Sequence, residues 1–225
     1  MTPSVSIIVP ALDEAGGIAA ALGALAPQRA AGAAVIVVDG GSRDATVARC
    51  AGRADRVIAA PRGRARQMNA GAALARAPVL LFVHADTALP AGAIDAVRAA
   101  LESGAGWGRF DVRIAGRSRL LPVIAALMNW RSRTTGIATG DQAIFVRAAV
   151  FREVGGFPDQ PLMEDIELSS RLKRIGPPAC LRERVTTSGR RWEQRGVWRT
   201  IWLMWRLRAR YWLGTPAERL AEAYR

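Results

Sequence analysis

From Ser4 to Val83, short apolar runs alternate with longer mixed segments. Ser4–Pro10 (Ser-Val-Ser-Ile-Ile-Val-Pro) is a β-branched run closed by proline, and Ala34–Asp39 is a second, closed by Gly-Gly-Ser. Both are apolar nearly throughout rather than at every other position, the pattern of strands covered on both faces, as in a parallel sheet. Arg56–Ala60 reads as a third, weaker strand and Pro78–Val83 as a fourth, running into His84-Ala85-Asp86. Between them Ile18–Leu25, Arg43–Cys50 and Arg64–Arg76 have helical composition, with Ser42 placed to cap the second. Strands alternating with helices over short connections predict a doubly wound α/β sheet.

The alternation stops after the fourth strand. Ala91–Ser103 predicts a helix, and Trp107–Ile114 a strand outside the βα rhythm. Arg117–Thr135 is an apolar helix flanked by arginines, with no obvious place in such a sheet. Gln142–Arg147 and Ala179–Arg184 read as strands, Glu164–Ile175 as a helix and Arg195–Leu213 as a tryptophan-rich helical tail. No repeat or low-complexity linker divides the chain. One domain over residues 1–194, with an appendage over 195–225, is expected.

The 225 residues are 50% apolar, enough for a full core. Their charge is lopsided: 32 basic against 19 acidic residues give +13, and Lys173 is the only lysine. Such an excess points to a polyanionic partner (nucleic acid, anionic membrane or phosphorylated substrate), although arginine-rich coding accounts for part of it. Two cysteines, Cys50 and Cys180, exclude a disulfide scaffold and a four-thiolate zinc site. The longest uncharged stretches, Ala15–Gln28 and Leu120–Trp130, fall short of the roughly 17–25 residues of a membrane span. The opening Met-Thr-Pro-Ser-Val-Ser has neither the basic nor the apolar part of a signal peptide. A cytoplasmic location, at most at the inner face of the membrane, is expected.

In open α/β sheets, ligands bind beyond the carboxyl ends of the strands. Acidic residues gather there: Asp13 and Glu14 after the first strand, Asp39 after the second, Asp86 after the fourth. A single carboxylate at a strand end is often only a helix cap, and Asp44 fits that description equally well. Three ends in register predict a shared cleft. No Gly-x-Gly-x-x-Gly follows the first strand and there is no Walker loop, which sets aside a dinucleotide dehydrogenase or a P-loop ATPase.

Four segments then carry a resemblance: Ser6-Ile-Ile-Val-Pro-Ala-Leu-Asp-Glu14, Val38-Asp-Gly-Gly-Ser-Arg-Asp-Ala-Thr46, His84-Ala-Asp-Thr87 and Met163-Glu-Asp165. In this order they resemble the family 2 glycosyltransferases, inverting enzymes with nucleotide-sugar donors and the GT-A fold, over roughly residues 4–192. With Gly140-Asp-Gln142 and Thr187-Ser-Gly-Arg-Arg-Trp-Glu193, the chain is similar to a small bacterial branch with poorly defined acceptors.

The resemblance implies a GT-A, Rossmann-like, mostly parallel sheet flanked by helices, and it implies roles. The family holds a divalent cation with an Asp-x-Asp motif. Here His84 stands first and Asp86 keeps the metal contact, so Asp86 is the implied ligand of Mn2+ or Mg2+, with His84 and Ala85 beside the donor. Such a cation would offset the charge growing on a diphosphate leaving group, and one imidazole would tilt the choice slightly toward Mn2+. Asp39 matches the aspartate that accepts hydrogen bonds from the nucleoside. Pro10, Ala11 and Glu14 shape the same slot, and Gly40 lets the chain pass close to the nucleotide. Arg62, Arg64, Arg66, Gln67 and Asn69 face that side, either as a solvated basic helix start or with at least one arginine on the diphosphate.

The implied base is Asp165 of the Glu164-Asp165 pair, although acidic residues opening a helix also serve its dipole. Gly140, Asp141 and Gln142 would line the sugar or acceptor pocket. Arg190, Arg191 and Trp192 belong to the late arginine–tryptophan segment near acceptor and diphosphate. Ser188-Gly189-Arg190 replaces the glutamine frame of processive polymerases, so single transfers are expected.

At about 100° per residue, Trp198, Ile201, Trp202, Trp205, Ala209 and Trp212 share one face of the tail, and Arg199, Arg206 and Arg210 an adjoining one. The stripe has three readings: packing on its own domain or a second copy, lying in an anionic membrane interface, or stacking on nucleic acid. The last is not favoured. The expected activity is transfer of a hexosyl group from a UDP- or GDP-sugar to a hydroxyl of a small-molecule or lipid-linked acceptor. One rival is a sugar-phosphate nucleotidyltransferase, which would normally show a glycine-rich loop after the first strand. The other is a non-catalytic nucleotide- or nucleic-acid-binding protein, which gives no reason for Asp39, Asp86 and Asp165 to fall at cleft positions.

Overall fold

The computed structural model describes residues 3–224. Its first half is β1 (Val5–Ala11), α1 (Ile18–Gly23), α2 (Ala26–Ala30), β2 (Ala33–Asp39), α3 (Thr46–Cys50), β3 (Arg56–Ala59), α4 (Arg64–Leu74) and β4 (Val79–Phe82). β1 pairs in parallel with β2 and β4, and β2 with β3. Alternate residues of these strands bury opposite faces. Ile7, Val9, Val35 and Val37 enter one cluster with Ile18 and Leu22, while Ile8, Ile36 and Val38 enter another with Ala65 and Met68. With both faces covered, few positions are left for polar residues, and the sequence reads as an apolar run.

Two local expectations change. The helix expected over Ile18–Leu25 is present as α1 but ends at Gly23, and a second short helix, α2, follows with Pro27 in its first turn. The helix expected over Arg43–Cys50 begins only at Thr46, and Ser42 does not cap it. The Ser42 hydroxyl instead donates to Asp39 (2.5 Å) and accepts the Asp13 N–H (2.9 Å).

The second half is β5 (Thr87–Ala88), α5 (Ala93–Glu102), β6 (Trp107–Ala115), α6 (Leu121–Thr135), β7 (Phe145–Arg147), α7 (Ala148–Glu153), α8 (Glu164–Leu172), β8 (Ala179–Ser188), α9 (Arg190–Arg195), α10 (Val197–Trp212) and α11 (Ala217–Tyr224). The sheet order is β3-β2-β1-β4-β7-β6-β8-β5. β7 is antiparallel to β4 and β6, β8 is parallel to β6, and β5 is antiparallel to β8. This is a mostly parallel α/β sheet flanked by helices, with the topological switch between β1 and β4. β8 runs on past Arg184 to Ser188, and α2, β5, α7 and α11 lie outside the elements that the pattern predicts.

The arginine-flanked apolar segment finds its place as α6. Asn129 donates to the Val112 carbonyl (3.0 Å) and accepts the Val112 N–H (2.9 Å), pinning the helix to β6. Arg133 grips Asp111 through two bonds of 2.8 and 2.9 Å, and Asp111 also accepts from the fully buried Arg109. The outer face of α6, with Val123, Leu127 and Trp130, is exposed.

The helix expected over Arg195–Leu213 is α10, and Gly196 (φ 82°) separates it from α9. Leu207 of α10 and Leu220 of α11 join Ile137, Met163 and Ile166 in a third apolar cluster. The tryptophans do not take part: Trp198, Trp202, Trp205 and Trp212 are between 62% and 72% exposed. The tryptophans of the stripe therefore do not pack on their own domain; the leucine side of the helix docks, and of the stripe only Ile201 at its border packs on the core. No helix among the described residues is long and apolar enough to cross a membrane.

Candidate active site

The carboxyl ends of β1, β4 and β8 and the starts of α4, α8 and α9 surround a cleft of about 630 Å³, within the range of small-molecule sites. Pro10, Ala11 and Glu14 line it from the first loop, Arg62, Arg64 and Gln67 from around the start of α4, and His84, Ala85 and Asp86 from beyond β4. Gly140, Asp141, Glu164 and Asp165 face them, with Arg190, Arg191 and Trp192 at the third side.

The first two loops are laced together by backbone N–H groups. Asp13, itself in the left-handed region (φ 53°), accepts the Arg43 N–H at 2.8 Å. Asp44 accepts the N–H groups of Ala15 (3.0 Å) and Thr46 (2.9 Å), so it is a loop clamp. Glu14 donates its N–H to the Thr46 hydroxyl at 2.8 Å, which leaves its carboxylate facing the cleft. Burial pushes that carboxyl up, against the nearby Arg190 and with help from Asp86 and Asp44.

Four of the expected site residues lie outside the lining. Asp39 is buried and accepts the N–H groups of Gly41 (3.0 Å) and Ser42 (3.1 Å), shaping the turn rather than facing open space. Gly40 lies against Gln67, whose amide ties the carbonyls of Ala11 and Val38 at 2.8 Å each. Asn69 is spent on Phe157, donating to its carbonyl (2.8 Å) and accepting its N–H (3.0 Å). Gln142 is fully buried and closes a capping box with Thr139. Arg66 also points away, paired with Asp159 at 2.7 Å.

Across the cleft, Asp165 is held in a fixed orientation. Its Oδ2 accepts the Gly140 N–H and its Oδ1 the Ile166 N–H, both at 2.8 Å. Met163, immediately before α8, sits at φ 64°, a costly conformation for a long side chain that turns Glu164 and Asp165 toward the cleft. Glu164 is buried, with Arg64 3.3 Å away; burial and then the Asp165 charge push its carboxyl up. His84 Nδ1 lies 3.3 Å from Asp141, and its buried Nε2 has no hydrogen-bond partner because it packs on Gly140. A Cβ at position 140 would come within 2.4 Å of that nitrogen, so any larger residue there must push the His84 ring aside. Burial pushes Asp141 up, but the His84 hydrogen bond and the charges of His84, Arg64 and Arg191 outweigh it and hold the carboxyl low.

The family model for glycosyl transferase family 2 matches residues 6–152, a stretch that includes the strand-end motifs of this cleft. The chain belongs to that family. No curated protein matches it. Among solved structures, this family 2 chain is similar to the mannosyltransferase PcManGT from Pyrobaculum calidifontis in complex with GDP-Man and Mn2+ (20% identity, TM-score 0.66, 93% of this chain and 61% of that one). It is also similar to S. aureus TarS 1-349 in complex with UDP-GlcNAc (18%, 0.65, 84% and 58%). A third is the glucosyl-3-phosphoglycerate synthase of Mycobacterium tuberculosis with Mn2+, UDP and phosphoglyceric acid (19%, 0.60, 82% and 69%). At these identities the likeness establishes the GT-A fold. The chain spans about three fifths of the TarS and PcManGT chains.

Among the described residues of this family 2 chain, no three His, Cys, Asp or Glu side chains meet as a metal cluster. Asp86 is exposed in the cleft, where its carboxylate accepts only a long bond of 3.5 Å from the Thr87 hydroxyl. One free carboxylate suits a hard cation that takes its other oxygens from phosphates and water. His84 is turned onto Asp141 and Gly140, so its imidazole gives no support for a preference between Mg2+ and Mn2+.

Several lining residues had no signal in the sequence. Met204 and Arg208 reach the cleft from α10, and Tyr224 from α11. The Tyr224 hydroxyl meets Arg191, whose guanidinium lies 5.3 Å over the ring. Behind this wall, Arg131 has two buried guanidinium nitrogens without a partner; burial, and then the charge of Arg208, push it down to about 10. Only the phase of α10 against α8 decides that such residues meet.

Proposed function

We propose that this chain is a nonprocessive, inverting glycosyltransferase that moves a hexosyl group from a UDP- or GDP-sugar to a hydroxyl of a small-molecule or lipid-linked acceptor. One observation carries the reading: Glu14, Asp86, Asp141 and Asp165, far apart in sequence, line a single cleft at the β1/β4 switch point. The nucleotide-sugars bound by PcManGT and TarS support the donor class. Residues 1–194 form the catalytic body in this reading, and 195–225 add a wall to its cleft. A cytoplasmic site of action is part of the proposal.

Pro10, Ala11 and Glu14 receive the nucleoside, on a shelf whose shape Asp39, Gly40 and Gln67 maintain from beneath. Arg64, Arg190 and Arg191 offer planar donor forks to the diphosphate. Asp86 holds Mg2+ or Mn2+, an ion that stabilises negative charge on the leaving group when bound. Asp165 takes the proton from the acceptor hydroxyl as that oxygen attacks the anomeric carbon opposite the departing diphosphate. One displacement inverts the configuration. Two N–H groups orient Asp165 while leaving a lone pair on each oxygen for the proton. His84 and Asp141 position the sugar side of the cleft.

Calorimetric titration with UDP-, GDP- and dTDP-sugars in Mg2+ or Mn2+ is expected to find one donor with metal-dependent binding. Asp86→Asn should weaken that binding by about 100-fold. Asp165→Asn should leave it within about twofold while lowering turnover by about 10²–10⁴. Binding of none of these donors, or normal turnover by Asp165→Asn, would end this reading.

A further inference from the structure

Exposed apolar side chains are concentrated on two neighbouring helices. Of the twelve large apolar residues exposed among those described, eight lie on α6 or on α10 and its C-cap Leu213, and five of the eight are tryptophans. Ile201 of α10 packs on the apolar cluster that also holds Leu121, Ile124 and Ala125 of α6, and Arg131 of α6 lies close enough to Arg208 of α10 to feel its charge. Around α10, at about 100° per residue, the buried Thr200 and Leu207 lie roughly opposite the tryptophans. Met204 and Arg208 face the cleft from the near side of the stripe, and Arg199, Arg206 and Arg210 flank it on the other. The Arg206 guanidinium stacks on the Trp202 ring at 4.9 Å.

The two helices themselves carry charge of one sign. Residues 112–140 and 194–217, which contain both helices, hold ten arginines and no aspartate or glutamate, while all 19 acidic residues lie elsewhere. Isolated exposed apolar residues need no explanation, but a contiguous patch bordered by one charge marks an interaction site.

We propose that the two-helix face of Trp130, Trp198, Trp202, Trp205 and Trp212 docks this protein on an anionic lipid bilayer. The indoles enter the headgroup layer, where their apolar body and N–H donor are both accommodated, and the arginines meet lipid phosphates. Charge complementarity selects this occupant. A symmetric pairing of two copies through the same face would bring arginine rows of like charge together. Stacking on nucleic acid uses a groove that tracks the strand, whereas these rings stand on the outside of a helix. Since Met204 and Arg208 share α10 with the tryptophans, docking would hold one wall of the cleft close to the headgroups. The proposal rests on the exposed face alone and does not depend on the reaction assigned to the cleft.

The test is co-sedimentation of the full chain with phosphatidylcholine vesicles, with and without phosphatidylglycerol. Binding only to the anionic vesicles, weakened by salt and accompanied by a blue shift of tryptophan emission, is expected. Combined Trp198→Ser, Trp202→Ser and Trp205→Ser substitution leaves the +13 charge intact and alters only exposed side chains, so the fold should persist. It should lower vesicle binding at least about tenfold, and Trp130→Ser on the other helix should lower it less. Arg199→Gln with Arg206→Gln and Arg210→Gln should flatten the salt dependence. Absence of sedimentation, or wild-type binding by the triple tryptophan variant, would overturn the proposal. So would a concentration-dependent dimer, or salt-sensitive oligonucleotide binding, that the tryptophan substitutions abolish while vesicles are ignored.

Discussion

On the β1–β2 wall of the cleft, acidic side chains end on backbone N–H groups: Asp13 on Arg43, Asp39 on Gly41 and Ser42, Asp44 on Ala15 and Thr46. On the facing wall, charged side chains end mostly on other side chains: Glu164 on Arg64, Asp141 on His84, and Arg191 on the Tyr224 hydroxyl, with Asp165 on two backbone N–H groups the exception. The first wall comes from two adjacent strand–loop units, so pairing β1 with β2 brings its loops together. The second needs α4, α8, α9 and α11 to be docked before its partners meet. A shelf fixed by backbone geometry thus faces a wall assembled by packing, and the second should be the more sensitive to substitutions far from the cleft.

The strongest break of that contrast should come from the support under α6. Asp111→Asn removes the counter-charge of the buried Arg109 and of Arg133, and is expected to cost about 3–5 kcal/mol in urea unfolding. A loss near zero would mean that α6 does not depend on this network. Leu207→Ala opens the cluster beneath α10 and should cost about 2–5 kcal/mol, with the tail unfolding cooperatively with the sheet. If the main transition did not move, the tail would be an independent flap and the comparison of walls would fail.

Gly140→Ala sharpens the contrast on the wall itself. Its methyl group must displace the His84 ring, at a cost of about 1–3 kcal/mol, and the effect should fall on kcat more than on stability of the β1–β2 shelf, read by hydrogen exchange. The smallest effect is one of pH. Burial and Asp165 place the Glu164 carboxyl above its usual 4.5, so the folded protein binds that proton more readily than the unfolded chain. Stability is then lost as pH rises through the window above 4.5. Thermal scans of Glu164→Gln should coincide with the parent at about pH 4 and lie above it at neutral pH. Equal curves at both pH values would show that Arg64 cancels the burial cost.

The central strands could be read because burial on both faces leaves an apolar run, and the strand-end motifs because each sits within a few residues of its strand. Asn69 and Gln142 show where such reading stops. Each is a polar residue beside a motif, yet Asn69 serves Phe157 and Gln142 serves Thr139, contacts that only the folded chain discloses. The same holds for the tail. Helical phase placed the tryptophans on one face, but whether that face or the leucine face would turn inward depended on what surface awaited it. Ile137, Met163 and Ile166 supplied an apolar seat that fits Leu207, and the tryptophans were left outside.

By itself, then, the sequence determined the α/β class, the family resemblance and the loops that carry Glu14, Asp86 and Asp165, all products of local period and short connections. Tertiary structure alone decided that Asp39 braces a turn rather than lining the cleft, that His84 leans on Gly140, and that Arg208 and Tyr224 complete the wall. The physical reason is range. A strand and its loop are specified by neighbouring residues, whereas a wall made of side chains from α4, α8, α10 and α11 exists only once their apolar faces have packed.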